Sequence, residues 1–419
     1  MKKVLSLLVL AALLLCAGTA AYAESGEGVQ KGDIVYLGTW QGAPLRWLVL
    51  DPDATNADTE GMFLLAEQTL TNQGTIYSWT KAVWQGSDGQ AWCAKLLKEN
   101  FTEAEQAAIP AVSKSEGQLT QYGLNWGAVE LVDEKVFYPS VVELGNYIGP
   151  NDGDAGLSAT YIGNGKTTYY WLRTPHGMHA DYAGLVIEEN QVHDYQVWGS
   201  WGGRPATNLG GEGLLYLAAA DRVLSTGDYG PMPSSASGEW KPTVIDSSLS
   251  LSVTGVQYAD GRVTLQYDNA PMGAWISVLA RNSEGKNVGY CCLGLAHSAA
   301  GELSFTPQAA EGMSFCVFAE RDNGLNTTNT ASAPVVLSWT AAEPAQTEAQ
   351  AEAPAETAPE TPAETSAETA SQTESAQQPA ENFWLDFLRE TWMFALAFVA
   401  VGLLAIVVAI RQAYDRRYY

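Results

Sequence analysis

Three histidines in the middle of the chain could do metal chemistry. His176, His179 and His193 lie close together in the sequence, with Asp181 and Asp194 beside two of them. Imidazole and carboxylate groups on adjoining loops can hold a transition metal such as zinc. Their spacing matches no established ligand motif, and three exposed loop histidines are the simpler interpretation. We therefore expect no zinc cofactor.

A second candidate metal site is the acidic turn at residues 151–156, which reads Asn-Asp-Gly-Asp-Ala-Gly. Calcium loops also place several oxygen ligands in a turn, but they alternate ligands and end on a distal glutamate. This segment has neither feature. We interpret it as a solvated turn and expect no calcium cofactor.

Two arginines and several aromatic residues could instead form a binding surface. An arginine near a strand end usually pairs with a carboxylate and stacks on an aromatic ring, and contact with a ligand is the alternative role. Aromatic faces suit sugar rings, although packing in the core or in a loop is their commoner fate. The candidate ligand-binding residues are Trp171, Arg173, Tyr195, Trp198, Trp201 and Arg204.

Catalytic chemistry has little support in the sequence. Neither Gly-x-Ser-x-Gly nor His-Glu-x-x-His occurs. Carboxylates such as Glu143, Asp181 or Asp194 could serve a glycoside hydrolase, but only if two of them face each other in space. The sequence alone cannot pair them.

The elements that would position these residues fall into two predicted domains. Residues 24–240, with a core at 32–220, show alternating strands and an early helical pattern over 90–108, which predicts an α+β domain of mostly antiparallel strands. Short strands separated by Gly, Pro and polar runs fill residues 241–340. This pattern is typical of an all-β, immunoglobulin-like or fibronectin-like sandwich.

The ends of the chain carry targeting signals. Residues 1–23 read as a signal peptide, with Lys2 and Lys3 before an apolar run and small residues at the cleavage positions. Residues 392–410 contain no charge, and as a helix these 19 residues would span about 28 Å, close to a bilayer's hydrocarbon thickness. Arginines in the tail, residues 411–419, favour the cytoplasmic side. We predict a single-pass cell-membrane protein with both domains extracellular.

A stalk connects the predicted domains to the predicted membrane helix. Residues 341–382 contain nine Glu and no Lys or Arg, with interspersed prolines, which predicts a disordered, self-repelling linker. Residues 383–391 form a short aromatic segment suited to the membrane interface. The formal net charge of the whole chain is −25. Such an acidic chain argues against nucleic acid as a partner.

Several ordered motifs resemble a known bacterial family. They include Gly32-Asp33-Ile34, residues 45–50 (Leu-Arg-Trp-Leu-Val-Leu), Trp171-Leu172-Arg173 and Arg204-Pro205-Ala206. From about residue 32 to residue 220 the chain resembles domain-of-unknown-function family 6273, which is met in exported and surface proteins, mostly of Gram-positive bacteria. The resemblance implies a fold outline and a cell-surface context, but no reaction. More faintly, the chain is similar to C-type-lectin-like folds.

The five cysteines suggest at most one disulfide bond. Cys16 lies in the predicted signal peptide, and no Cys-x-x-Cys occurs. Because adjacent strand residues point to opposite faces, only one of Cys291 and Cys292 could pair with Cys316. We favour free thiols, since Gram-positive export does not ensure oxidation.

Three functions remain open at this point. The leading hypothesis is a non-catalytic recognition head whose ligand is a glycan, a wall polymer or another surface protein. The first alternative is a surface hydrolase acting on glycan or cell wall. The second is a structural scaffold of the envelope. A deep cleft with two facing carboxylates would favour the enzyme, and a shallow aromatic patch would favour binding.

Overall fold

The computed structural model describes residues 28–53, 61–72, 75–149, 156–187, 190–308 and 313–338. The predicted signal peptide, stalk, interfacial segment, membrane helix and tail, and all but the last residue of the acidic turn, lie outside these residues. Within the described ranges, no helix is long and apolar enough to cross a membrane. The described residues belong to one compact unit and are mostly β-strand.

Three helices and twenty-six strands occur in the described part of the chain. The helices are α1 (Asp88–Asn100), α2 (Glu103–Ala107) and α3 (Val141–Tyr147). The strands up to residue 219 are β1 (Ile34–Trp40), β2 (Ala43–Asp51), β3 (Met62–Ala66), β4 (Thr75–Ile76), β5 (Val112–Glu116), β6 (Leu119–Gln121), β7 (Leu124–Trp126), β8 (Val129–Glu134), β9 (Val136–Phe137), β10 (Ala159–Thr160), β11 (Thr167–Thr168), β12 (Tyr170–Pro175), β13 (Tyr182–Ile187), β14 (Gln191–Gln196), β15 (Ser200–Trp201), β16 (Ala206–Leu209) and β17 (Leu214–Ala219).

The remaining strands are β18 (Glu239–Ile245), β19 (Ser252–Ala259), β20 (Arg262–Asp268), β21 (Trp275–Arg281), β22 (Asn287–Leu295), β23 (Gly301–Phe305), β24 (Ser314–Arg321), β25 (Asn329–Ala331) and β26 (Val335–Ser338).

The first two strands form a hairpin. Trp40 pairs with Ala43 across a two-residue turn, in which Gln41 and Gly42 both adopt positive φ (53° and 83°). Such left-handed turns match the twist of antiparallel strands, and glycine enters this conformation without steric cost.

The helix predicted over 90–108 is divided in the structure. Ser87 caps α1 by accepting a hydrogen bond from the Gln90 amide, and the chain becomes extended at Phe101. Thr102 and Glu105 then form a capping box that starts α2. The helical spacing of the apolar residues continues across the break, so periodicity alone could not locate it.

One twelve-stranded sheet joins strands from the two ends of the described chain, from β1 to β26. Its strand order is β22-β21-β24-β25-β18-β1-β2-β3-β16-β9, and β17 and β26 pair additionally with β18 and β24. β18 pairs in parallel with both β1 and β25 and antiparallel with β17. The domain boundary predicted between residues 240 and 241 falls inside β18. The division into two domains stays a prediction.

The apolar core also extends across that position. A cluster of buried side chains joins Leu215, Tyr216 and Ala218 of β17 to Leu279 of β21 and Phe318 of β24. Tyr216 donates a hydrogen bond of 2.7 Å to the buried Glu320 carboxylate. The two halves of the described chain therefore share both hydrogen bonds and buried surface.

Candidate functional site

A three-stranded antiparallel meander, β12-β13-β14, places most of the predicted binding residues. Trp171 on β12 is completely buried, and its ring lies 5.9 Å from that of Tyr77. Tyr195 lies near the end of β14 with 43% of its surface exposed, and Trp198 in the following turn is 42% exposed. Of these three candidate ligand-binding residues, Trp171 therefore lies in the core, whereas Tyr195 and Trp198 lie at the surface.

We call four aromatic residues of this region the aromatic platform: Tyr195 and Trp198, which are exposed, and Tyr169 and Trp201, which are partly buried against the core. The Trp201 ring lies 5.1 Å from the Tyr169 ring and 5.2 Å from the Tyr195 ring, the latter edge-on. These distances lie in the range of favourable aromatic contacts. Trp198 occupies the turn between β14 and β15, which is closed by a hydrogen bond from the Gly199 amide to the Gln196 carbonyl.

A fifth aromatic residue, Trp79, stands beside the platform. It is 67% exposed, and its neighbour Ser78 donates a backbone hydrogen bond to the Val197 carbonyl. Sequence reasoning did not single out Trp79 or Tyr169. Trp79 lies in an irregular loop with no periodic pattern, and only the tertiary contact with Val197 brings that loop to the platform.

The backbone beneath the platform is closely packed. Trp201 pairs with Thr75 between β15 and β4, and the Gly202 amide donates to the Tyr169 carbonyl at 2.9 Å. A Cβ atom at Gly202 would lie 2.6 Å from the Tyr169 oxygen and 2.7 Å from the Thr71 oxygen. Only glycine allows this approach, so β15 is held at a fixed distance from the residues that carry the platform.

Both predicted binding arginines are buried. Arg204 donates to the carbonyl oxygens of Ala66 (2.8 Å) and Leu157 (3.1 Å), and its guanidinium stacks on the Tyr170 ring. Arg173 stacks on Phe137 and forms ion pairs with carboxylates. The structural interpretation of both residues agrees with these contacts, except that Arg204 bonds carbonyls rather than a carboxylate.

Arg173 and Arg204 both lie in the part of the chain that matches a known family. Residues 59–211 match the model of a family described as a domain of unknown function (DUF6273). The resemblance seen in the sequence is thus confirmed for that range. No curated protein and no solved structure matches the chain.

The candidate metal-binding histidines lie within the matched residues 59–211, which we call the DUF6273 region, and they are only partly brought together. The rings of His176 and His179 stack with 4.8 Å between their centroids. The Nδ1 atom of His176 already accepts the backbone N–H groups of Met178 and His179. His193 lies on β14, opposite Leu185. Across the described ranges, no group of three or more His, Cys, Asp or Glu side chains is arranged to hold a metal ion.

An ion cluster lies inside the DUF6273 region, and we call it the Arg173 cluster: Lys114, Glu116, Glu143 and Arg173. Arg173 binds Glu143 through two hydrogen bonds of 2.6 and 3.0 Å and binds Glu116 at 2.5 Å. Lys114 lies 3.1 Å from Glu143 and sits over the Phe63 ring. All four side chains are buried or nearly so. Fork-shaped pairing of this kind fixes geometry as well as charge.

The two carboxylates of the cluster have different proton affinities. Burial by itself raises the pKa of the Glu143 carboxyl, but the charges of Arg173 and Lys114 overcome it and lower this pKa to about 2. Burial raises the pKa of Glu116 above its ordinary value, and Arg173 offsets this only in part. A pair of carboxyl groups whose environments separate their pKa values is typical of functional sites and also of structural ion-pair networks.

The cysteines of the described part are buried and free: Cys93, Cys291, Cys292 and Cys316. Cys291 and Cys316 lie on β22 and β24, which flank β21 on opposite sides. Two strand spacings separate them by roughly 9–10 Å, beyond the reach of a disulfide. The pairing of Cys316 with Cys291 or Cys292, which the sequence left as the less favoured alternative, is therefore not formed.

Proposed function

We propose that the described part of the chain is a non-catalytic recognition head that binds carbohydrate through the aromatic platform. The observation that carries this proposal is the exposure of Tyr195, Trp198 and Trp79, with the Tyr195 ring in edge contact with the partly buried Trp201. Apolar rings left uncovered in a contiguous group mark binding sites on soluble domains. Each ring presents a flat apolar face together with a polar edge, which suits a sugar ring.

A carbohydrate ligand fits the platform better than nucleic acid does. Nucleic acid would require a basic footprint, whereas the chain carries a net charge of −25. Wall polymers and glycans both present sugar rings to such a surface. The faint similarity to C-type-lectin-like folds and the immunoglobulin-like second domain belong to the same proposal, which the β-rich character of the described residues supports in outline.

The platform proposal is tested by saccharide binding to the full-length chain, kept in a detergent without a sugar headgroup. Replacing Trp198 by alanine is expected to weaken binding by about tenfold or more, because an exposed aromatic anchor contributes most of the apolar contact. A glycan array identifies the ligand, and isothermal titration measures its affinity for the wild type and the variant.

The matched control for this experiment is Met272→Ala. Met272 is 77% exposed and lies far along the chain, outside the DUF6273 region. Its removal is expected to leave saccharide affinity unchanged. Equal affinities for the wild type and Trp198→Ala would contradict the platform proposal, as would the absence of any saccharide ligand.

We also propose that the head is exported and held at the cell membrane by one helix. The support is in the sequence: the signal-peptide pattern at residues 1–23 and the uncharged run at residues 392–410. Protease added to intact cells is expected to digest the head, while the protein itself sediments with membranes. A head untouched by protease, or a protein that fractionates as freely soluble, would overturn this location.

A further inference from the structure

A cavity of about 460 Å³ lies above the Arg173 cluster, away from the aromatic platform. Its walls come from β5 and the loop after it, and from α3. The residues that matter for its chemistry are Lys114, Glu116, Gln118, Glu143, Asn146 and Tyr147. A volume of this size falls within the range of small-molecule sites, roughly 300–1,000 Å³.

The charges at the base of this cavity are balanced. Arg173 forms ion pairs with both Glu116 and Glu143, and Lys114 forms an ion pair with Glu143. Two positive groups therefore face two carboxylates. A cationic ligand would be repelled by Lys114, and an anionic ligand would lie against Glu116. The electrostatics favour a neutral ligand.

Hydrogen bonding distinguishes the two carboxylates. Both oxygens of Glu143 are fully used, since Oε1 accepts from Lys114 and Arg173 and Oε2 accepts from Arg173 and the Ser140 amide. Glu116 Oε1 accepts from Arg173 and from the Ser140 hydroxyl. Glu116 Oε2 is buried and has no hydrogen-bond partner among the described residues. A buried acceptor without a donor is costly, and a ligand hydroxyl would relieve that cost.

We propose that this cavity is a second carbohydrate-binding site, which takes one neutral, hydroxyl-bearing sugar unit and receives a hydroxyl hydrogen bond on Glu116 Oε2. The amide side chains of Gln118 and Asn146 line the same cavity and can both donate to and accept from sugar hydroxyls. Tyr147 adds an aromatic surface at the wall. Glu143 acts as a positioning residue, because its bonds to Arg173 and Lys114 fix the groups around Glu116.

The decisive experiment removes the platform first and then tests the cavity. The probes are neutral glucose and N-acetylglucosamine oligosaccharides and, as an anion, inorganic phosphate, each titrated into the full-length chain in a sugar-free detergent. The Trp198→Ala variant is expected to retain saccharide binding at the cavity. Adding Glu116→Gln is expected to weaken that remaining binding by about tenfold or more, since glutamine can keep one oxygen for Arg173 and Ser140 but turns an amide donor toward the ligand.

Two further variants keep the result interpretable. Glu130→Gln changes an exposed carboxylate on the adjacent β8 strand and is expected to leave binding unchanged. Asn146→Ala removes a lining amide without touching the ion pairs, so it tests the cavity even if Glu116→Gln fails to fold. Retained saccharide affinity in both Glu116→Gln and Asn146→Ala would overturn the cavity site, as would phosphate binding in preference to saccharide.

The outcomes for the two carbohydrate sites differ. Complete loss of binding in Trp198→Ala would refute the cavity and leave the platform standing. Undiminished binding in Trp198→Ala, followed by loss in Glu116→Gln, would refute the platform and support the cavity. A wild-type chain that binds none of the saccharides would refute both.

Discussion

Replacing Glu143 by glutamine is expected to lower the free energy of unfolding by about 3–5 kcal/mol at neutral pH, because Arg173 and Lys114 would lose the carboxylate that both of them contact. Glutamine keeps an oxygen that can accept from the Ser140 amide at the start of α3. The loss of stability therefore reflects mainly the missing carboxylate charge. Denaturant unfolding of the wild type and the variant measures it. Glu130→Gln, at an exposed position, is expected to change stability by no more than about 0.5 kcal/mol.

The effect of Glu143→Gln has a defined pH dependence. The folded-state pKa of Glu143, about 2, is lower than its ordinary value of 4.5, so its contribution is fully present above pH 4.5 and is lost as the pH falls toward 2. The stability difference between the wild type and the variant is therefore expected to shrink between pH 4.5 and pH 2 and to vanish below. A difference that stays constant down to pH 2 would show that charge pairing is not its source.

Replacing Trp171 by alanine is expected to destabilise the protein by about 3–5 kcal/mol, because the substitution leaves a large cavity in a core where Trp171 is fully buried beside Tyr77. Trp198→Ala removes the same side chain from the exposed turn that follows β14 and is expected to change stability by no more than about 0.5 kcal/mol. Denaturant unfolding compares the two. Equal losses would mean that Trp198 is a packing residue and would remove the basis of the platform.

The sequence predicted local structure well where one short signal determined it. The antiparallel meander β12-β13-β14 follows from the alternation that predicted mostly antiparallel strands in this part of the chain. The break between α1 and α2 was not predicted, because the capping box at Thr102 starts a new helix without changing the helical spacing of the apolar residues.

The candidate sites were harder to predict, because they depend on contacts between distant segments. Trp171 on β12 and Trp198 in the turn after β14 are the same residue type, and only the fold decides which one the core covers. Glu143 was named from the sequence only as a possible carboxylate of a hydrolase, because its partner Arg173 lies 30 residues away. Lys114 and Glu116 were not singled out, since an isolated Lys-Ser-Glu on an exposed-looking strand carries no signal of burial.

The pairing of β18 departs most from what local sequence patterns predict. This strand pairs with β1, which lies about two hundred residues earlier in the chain. No sequence pattern within either strand predicts that pairing. Alternation predicted a strand near residue 241 but could not show which neighbours it would join. The continuous sheet is therefore a property of the assembled chain.

The position of β18 has a practical consequence for dissecting the molecule. A fragment that stops at residue 240 would end two residues into this strand, and most of β17 would lose its hydrogen-bonded neighbour. A fragment that starts at residue 241 would keep residues 241–245 of β18 without β17, and it would lack the two residues that pair with β1. Either fragment would expose unpaired strand edges of the kind that drive aggregation. Aggregation of such fragments would therefore reflect the position of the cut and not low stability of the intact protein.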